Sequence, residues 1–272
     1  MKQLTVAIHG ALGKMGRETM GAVSRDPSLS LTGAVDINAT GEYIDLPYDS
    51  QRVPLYTELD KLLQNSHPQV LVDFTIAEAS LAAACICLQK GISFVTGTSG
   101  FSDDNLKEID RFATASEVGA VVAPNFALSA VIQIYLASIA ARFFDHAEII
   151  ELHHDQKIDA PSGTALATAK AMAQSRGKPF VYAPTGKENI VGCRGGQVDG
   201  IAIHSVRLPG FIASQEVIFG GQGQTLSLRN DAISRESYMA GVILAIKEVT
   251  QIQGLVYGLD KLLHLGGTNE SL

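Results

Sequence analysis

Three stretches of this sequence carry residue types that could do chemistry. The densest is His153-His154-Asp155-Gln156-Lys157-Ile158-Asp159-Ala160-Pro161-Ser162-Gly163-Thr164, which runs from an apolar strand pattern into a helix start. Histidine is the side chain whose ordinary pKa lies nearest neutrality, so His153 and His154, with Lys157, put proton donors beside whatever binds there. Pro161 suits a first helical turn, Asp159 or Ser162 could cap it, and the N–H groups near Gly163 and Thr164 would then face an anion. A carboxylate or phosphate site flanked by acids fits the acid-assisted reduction of an anionic substrate. Two readings compete with it: a metal site, and an exposed polar strand end followed by a capped helix. Against the metal, adjacent histidines on an extended chain point to opposite faces, and Lys157 repels a cation.

The second stretch is Gly10-Ala11-Leu12-Gly13-Lys14-Met15-Gly16, between the first strand pattern and the first helix pattern. Its G-x-x-G-x-x-G spacing departs from the usual dinucleotide fingerprint G-x-G-x-x-G. Its position still suits a pyrophosphate, because glycines permit close approach and the helix end offers free N–H groups. Asp36 closes the second strand 20 residues after Gly16, where a carboxylate can accept ribose hydroxyls. A glycine turn with a helix cap and no ligand is the alternative. The third stretch is a pair of loops, Gly97-Thr98-Ser99-Gly100-Phe101 and Ala123-Pro124-Asn125-Phe126, each following a strand. Both should emerge at the carboxyl edge of a parallel sheet and could line the nicotinamide end, or be ordinary turns. Arg194, His204, Arg207 and Arg229 add cations, none of which the sequence singles out.

The elements that must hold these loops follow from periodicity. Strand patterns at Leu4–Ile8, Leu31–Val35, Val70–Phe74, Ile92–Thr96 and Ala120–Val122 alternate with helix patterns at Lys14–Arg25, Leu59–Gln64, Ala77–Gln89 and Asp103–Ala115. That alternation predicts a Rossmann-like, doubly wound parallel sheet, with Asn38–Pro54 polar and irregular. After Asn125 a long apolar helix (Ala130–Phe143), a strand (Ala147–His153) and a helix (Gly163–Ser175) precede a run of strands at Gln197–Leu208, Gln215–Phe219 and Gln224–Leu228. These predict an α+β domain with a mixed sheet, its last strands arranged as a meander. The helical stretch from Arg235 and the segment Val256–Leu263 return to the first domain. The expected division is therefore 1–125 with 235–272, a dinucleotide-binding domain, and 126–234, a substrate domain.

At 272 residues, 46% hydrophobic and 18% charged, the chain can bury two cores, which excludes a disordered chain. A net charge of −7 argues against nucleic acid as a partner. No apolar run reaches the roughly 18 residues of a membrane span, and the N-terminus lacks a signal pattern, so a cytoplasmic protein is expected. Cys85, Cys87 and Cys193 read as structural thiols that behave as small buried hydrophobes.

Together these residues resemble the dihydrodipicolinate reductase (4-hydroxy-tetrahydrodipicolinate reductase) family over nearly the whole chain. The likeness rests on Gly10–Gly16, Asp73-Phe74-Thr75, Gly97–Phe101, Pro124-Asn125-Phe126 and, above all, E-L-H-H-D-Q-K-I-D-A-P-S-G-T from Glu151 to Thr164. Ile203–Gly210 and Glu216–Gly220 resemble the family's substrate domain. The resemblance implies hydride transfer from NADH or NADPH to 4-hydroxy-tetrahydrodipicolinate, giving tetrahydrodipicolinate for diaminopimelate and lysine synthesis. By the same resemblance His153 matches the proton donor/acceptor and Lys157 the proton donor, while His154, Gly163 and Thr164 match residues that bind the substrate carboxylates. Gly10, Ala11, Leu12, Gly13, Lys14, Met15, Asp36, Gly97, Thr98, Ser99, Ala123, Pro124, Asn125 and Phe126 match cofactor contacts. It also implies a homotetramer assembled through the strand-rich domains; no metal is expected, on the residue argument above. Where some members carry an arginine after the acid of the second strand, this chain has Ile37, leaving Lys14 as a phosphate partner. A retained acid and a missing cation lean toward NADH. Another Rossmann-type amino-acid dehydrogenase and a non-catalytic NAD-sensing module are the rival functions.

Overall fold

The structure, a computed structural model, describes residues 3–46 and 52–265. In chain order the elements are β1 Leu4–His9, α1 Lys14–Arg25, β2 Leu29–Val35, β3 Tyr43–Asp45, β4 Arg52–Tyr56, α2 Leu59–Ser66, β5 Val70–Asp73, α3 Ala77–Gln89, β6 Ser93–Thr96, α4 Asp103–Ala115 and β7 Gly119–Val122. Then come α5 Leu128–Ala140, β8 His146–His153, α6 Gly163–Arg176, β9 Gly196–Val198, β10 Ile201–Arg207, β11 Ala213–Gly221 and β12 Gln224–Ala232. The chain ends on α7 Met239–Glu248, β13 Gly254–Tyr257 and α8 Leu259–Leu262. Two compact units result, Met1–Phe126 with Tyr238–Leu272, and Ala127–Ser237.

The first unit is built on an eight-stranded sheet, ordered β13-β7-β6-β5-β1-β2-β4-β3, parallel except for β3. Every residue of β5, β6 and β7 is buried, as expected for short apolar runs covered by helices on both faces. Leu71, Phe94, Leu88 and Ile109 meet in one of its cores. α4 starts where Ser102 and Asn105 satisfy each other's backbone N–H groups. The segment Asn38–Pro54 is not wholly irregular, because β3 and the start of β4 form within it; residues 47–51 lie outside the described residues. Pro54 is accommodated within β4 because it pairs only with the three-residue β3, while Val53 and Leu55 alternate inward. The tail from residue 266, assigned above to the first domain, also lies outside the described residues.

The second unit has a five-stranded mixed sheet, ordered β12-β11-β8-β10-β9. Its core joins Ile149, Val217, Phe219 and Ile203 of the strands to Ala137 of α5 and Ala165, Ala169 and Met172 of α6. The strands do not form a meander: β8 lies between β10, to which it is parallel, and β11, to which it is antiparallel. The single strand expected over Gln197–Leu208 is a hairpin, β9 and β10, turning at Asp199-Gly200 with φ of 50° and 82°. Both turn residues need positive φ, which the Asp-Gly pair supplies. Among the described residues no helix is long and apolar enough to cross a membrane.

Candidate active site

In the first unit the glycine-rich loop links β1 to α1. A Cβ on Gly10, whose φ is 77°, would lie 2.8 Å from the Phe74 carbonyl oxygen, and one on Gly16 would lie 2.2 Å from that of Gly10. The loop therefore packs as bare backbone. Gly13 is the N-cap of α1 and offers no side chain to the first-turn N–H groups, which stay available to a ligand. The buried Asp36 carboxylate accepts from the Leu12 N–H at 2.9 Å and from the Asn38 N–H at 2.9 Å. Asp36 thus braces the loop, while the neighbouring Ile37 side chain is 83% exposed. Lys14 and Ser99 are exposed and Met15 is half-buried.

The loops after β5, β6 and β7 meet at the same sheet edge. Gly97 has room for no side chain, because a Cβ would lie 2.4 Å from the Phe74 ring. Phe74 packs edge-on against Phe126, whose ring is buried, at a centroid distance of 6.0 Å. Beneath them lies a carboxylate of the Asp73-Phe74-Thr75 motif, to which the resemblance assigns no role. Asp73 is fully buried and accepts from the hydroxyls of Thr75 (2.7 Å), Thr96 (2.9 Å) and Thr98 (2.8 Å). His9 Nδ1 lies 2.9 Å from it, close enough to pair electrostatically though not aligned as a hydrogen bond. Burial alone would raise the Asp73 pKa, but His9, Ser80 and Thr75 outweigh it and hold the carboxyl below its ordinary range. One ion thereby ties β1, β5, β6 and the Gly97–Ser99 loop together.

In the second unit β8 delivers the histidines. Residues 147, 149, 151 and 153 alternate toward one face, so Glu151 and His153 lie side by side. The fully buried Glu151 carboxylate takes His153 Nδ1 at 2.5 Å and both terminal nitrogens of Arg207, at 2.7 and 2.9 Å. Arg207 stands opposite His153 in the parallel pairing of β8 with β10. Burial would raise the Glu151 pKa, yet hydrogen bonds from Arg207, Ser205 and His153 keep it below the usual carboxylate range. Burial also pushes the His153 pKa below its ordinary value, Glu151 opposing and Lys157 and Arg207 reinforcing the shift. The imidazole is therefore predominantly neutral at pH 7.

The loop after β8 turns back through a Lys157 N–H to His154 carbonyl bond of 3.2 Å, and Lys157 Nζ pairs with Asp159 at 2.7 Å. Asp159 is thus not the helix cap. Ser162 is, accepting from the Ala165 N–H at 3.1 Å, and Pro161 stands before the cap rather than in the first turn. Gly163 opens α6 exposed, with nothing within 4 Å of a Cβ built on it, and Thr164 is half-buried beside it. Of the cations left undecided by the sequence, Arg207 belongs here, whereas Arg194 and His204 pair with Glu148 and Arg229 pairs with Asp231 and Glu216. Cys87 is buried, its thiol pushed up to about 12 by desolvation, but Cys193 is exposed and does not act as the small core residue expected. Among the described residues no group of three or more His, Cys, Asp or Glu side chains is placed to hold a metal.

Comparison with known proteins covers both units. Residues 4–126 match the family described as dihydrodipicolinate reductase, N-terminus, and residues 129–263 match dihydrodipicolinate reductase, C-terminus. A 4-hydroxy-tetrahydrodipicolinate reductase of Dehalococcoides mccartyi is 49% identical over 97% of this chain and 100% of its own length. That of Moorella thermoacetica is 47% identical over 96% and 98%. The dipicolinate-bound dihydrodipicolinate reductase of Paenisporosarcina sp. TG-14 superposes with a TM-score of 0.85 at 41% identity, covering 95% of this chain and 99% of that one. An amine dehydrogenase of Mycobacterium smegmatis, TM-score 0.65 at 15% identity, shares the fold alone. A match that runs through the His153–Thr164 loop as well as the glycine-rich loop is more than a shared nucleotide fold, and the chain belongs to the dihydrodipicolinate reductase family.

Proposed function

We propose that this chain reduces 4-hydroxy-tetrahydrodipicolinate to tetrahydrodipicolinate with NAD(P)H, in diaminopimelate and lysine synthesis. The observation that carries the reading is the strand end of β8, where a carboxylate-held His153 leads into the loop that carries Lys157 and the open first turn of α6. The first unit suits the dinucleotide: the bare Gly10–Gly16 backbone and the uncapped start of α1 would receive the pyrophosphate, and Asp36 the ribose hydroxyls. The Gly97–Ser99 and Ala123–Phe126 loops would border the nicotinamide, which when bound supplies the hydride.

The chain's own residues do the rest. The N–H groups of Gly163 and Thr164, with His154, hold the substrate carboxylates, and the positive end of α6 favours their charge. His153 and Lys157 supply protons, since the reaction adds one hydride and one proton and releases the 4-hydroxyl as water. Asp36 repels a 2′-phosphate and Ile37 offers it no cation, so NADH is the preferred donor, with Lys14 permitting use of NADPH. The working form is a cytoplasmic homotetramer assembled through the second unit, whose edge strand β12 is largely exposed.

The test is the initial rate of NADH and NADPH oxidation, with substrate generated in place from pyruvate and aspartate semialdehyde by the preceding synthase. Turnover is expected with both, faster with NADH. No oxidation by folded protein with proven substrate supply would overturn the assignment. Light scattering should give four times the chain mass.

A further inference from the structure

Resting on the reading of His153 as a proton-transfer group, we infer that Glu151 is its positioning residue: the carboxylate, clamped by Arg207, takes the imidazole Nδ1–H and leaves Nε2 as the nitrogen that exchanges a proton with substrate. Glu151 is wholly shielded from solvent, while the His153 side chain keeps 14% of its exposure. A buried carboxylate is costly unless its oxygens are satisfied, and here both are. Arg207 grips it in a two-point fork, Nη1 to Oε2 at 2.9 Å and Nη2 to Oε1 at 2.7 Å, and the Ser162 N–H reaches Oε1 at 3.3 Å.

The fork decides the tautomer. An ionised carboxylate can only accept, so the imidazole nitrogen that touches it must carry the hydrogen. The opposite arrangement, a neutral Glu151 donating to a bare Nδ1, would place a carboxylic acid against two guanidinium N–H groups and forfeit the charge-assisted pair. Nδ1 is thus committed and Nε2 alone can gain or lose a proton. The same clamp fixes place as well as tautomer. Ser162 is the cap of α6, and Arg207 also donates to the Asp159 carbonyl at 2.7 Å, so one buried ion pair registers the imidazole against both ends of the loop that carries Lys157 and leads to Gly163.

Two measurements test this. Long-range proton–nitrogen correlation of labelled, substrate-free protein reads the tautomer of each histidine, and His153→Gln identifies the His153 signal by its loss. The expected result near pH 7 is a protonated Nδ1 and an unprotonated Nε2; the reverse pattern overturns the inference whatever the kinetics. This reading uses the native residue at 151, so it stands even if variants there fail to fold. In the second measurement Glu151→Gln is expected to lower kcat about a hundredfold or more with NADH affinity unchanged, Glu151→Asp recovering part of it. Turnover of Glu151→Gln within threefold of wild type overturns the positioning role. Full turnover by His153→Gln would instead remove the underlying assignment, a failure told apart because the tautomer is read without substrate.

Discussion

Gly163→Ala separates stability from function with opposite signs. Gly163 is the first residue of α6, its φ is not positive, and an added Cβ meets no heavy atom within 4 Å. The methyl group therefore strains nothing and removes backbone freedom from the unfolded chain, which stabilises by about 0.4–1 kcal/mol. At about 2–8 °C per kcal/mol for units of this size, the ligand-free protein should melt a few degrees higher. The same empty space is where the reading above seats a substrate carboxylate. A methyl group there displaces a charge-assisted hydrogen bond of about 1.5–3 kcal/mol, so KM for substrate should rise roughly ten- to a hundredfold, with KM for NADH unmoved. Calorimetry without ligand and steady-state kinetics at saturating NADH read the two effects. A melting point lowered by several degrees would show that the space is not free, and an unchanged substrate KM would refute the carboxylate site at α6.

Other perturbations probe the remaining parts. Lys157→Ala should leave NADH affinity and melting temperature nearly intact, since its partner Asp159 is largely exposed, while turnover falls at least about a hundredfold; unchanged turnover would remove Lys157 from the mechanism. Ile37→Arg should raise kcat/KM for NADPH relative to NADH, because the exposed side chain stands beside Asp36; an unmoved ratio would mean that the phosphate lies elsewhere. Gly16→Ala forces a Cβ against the Gly10 carbonyl oxygen, an overpacking of about 1–3 kcal/mol, and should weaken NADH binding as it lowers the melting point. Asp73, Glu148 and Glu151 sit below their ordinary values of 3.8, 4.5 and 4.5. Depressed carboxylates stabilise above the unfolded-state pKa and lose that contribution as pH falls through the folded one, so stability should be full above about pH 5 and fall steeply below 4. A melting temperature flat from pH 6 to 3 would contradict this, and Asp73→Asn should flatten part of the slope.

The parallel sheet was legible because its signals are local. Lys14–Arg25, Ala77–Gln89 and Asp103–Ala115 begin and end where their periodicity and flanking residues place them. The second sheet was less so, for two different reasons. Asp199-Gly200 is a short-range turn signal set inside an apolar run, so the run reads as one strand although the pair divides it into two. The insertion of β8 between β10 and β11 has no local signal at all, since its parallel pairing joins Ile149 to Ile203 across a helix and a long loop.

The candidate site divides in the same way. Residues proposed to act through backbone, such as Gly10, Gly16 and Gly163, can be picked out by type, because glycine beside a helix start leaves its N–H groups bare to a ligand. Residues that act through another side chain do not. Asp73 reads as the polar end of a buried strand, and Glu151 as one more charge in E-L-H-H, until the register brings Arg207 across to it. Part of that was nonetheless available: an acid and a histidine two apart on a strand share a face, and the flanking Ala147 and Ile149 mark that face as the buried one. A carboxylate forced inward beside a histidine needs a cation, and Arg207, opposite His153 on β10, is the one that the fold brings to it. The half-buried pair His153-His154 presents side chains that could touch substrate, whereas the contact of His153 with the buried Glu151 fixes which nitrogen does.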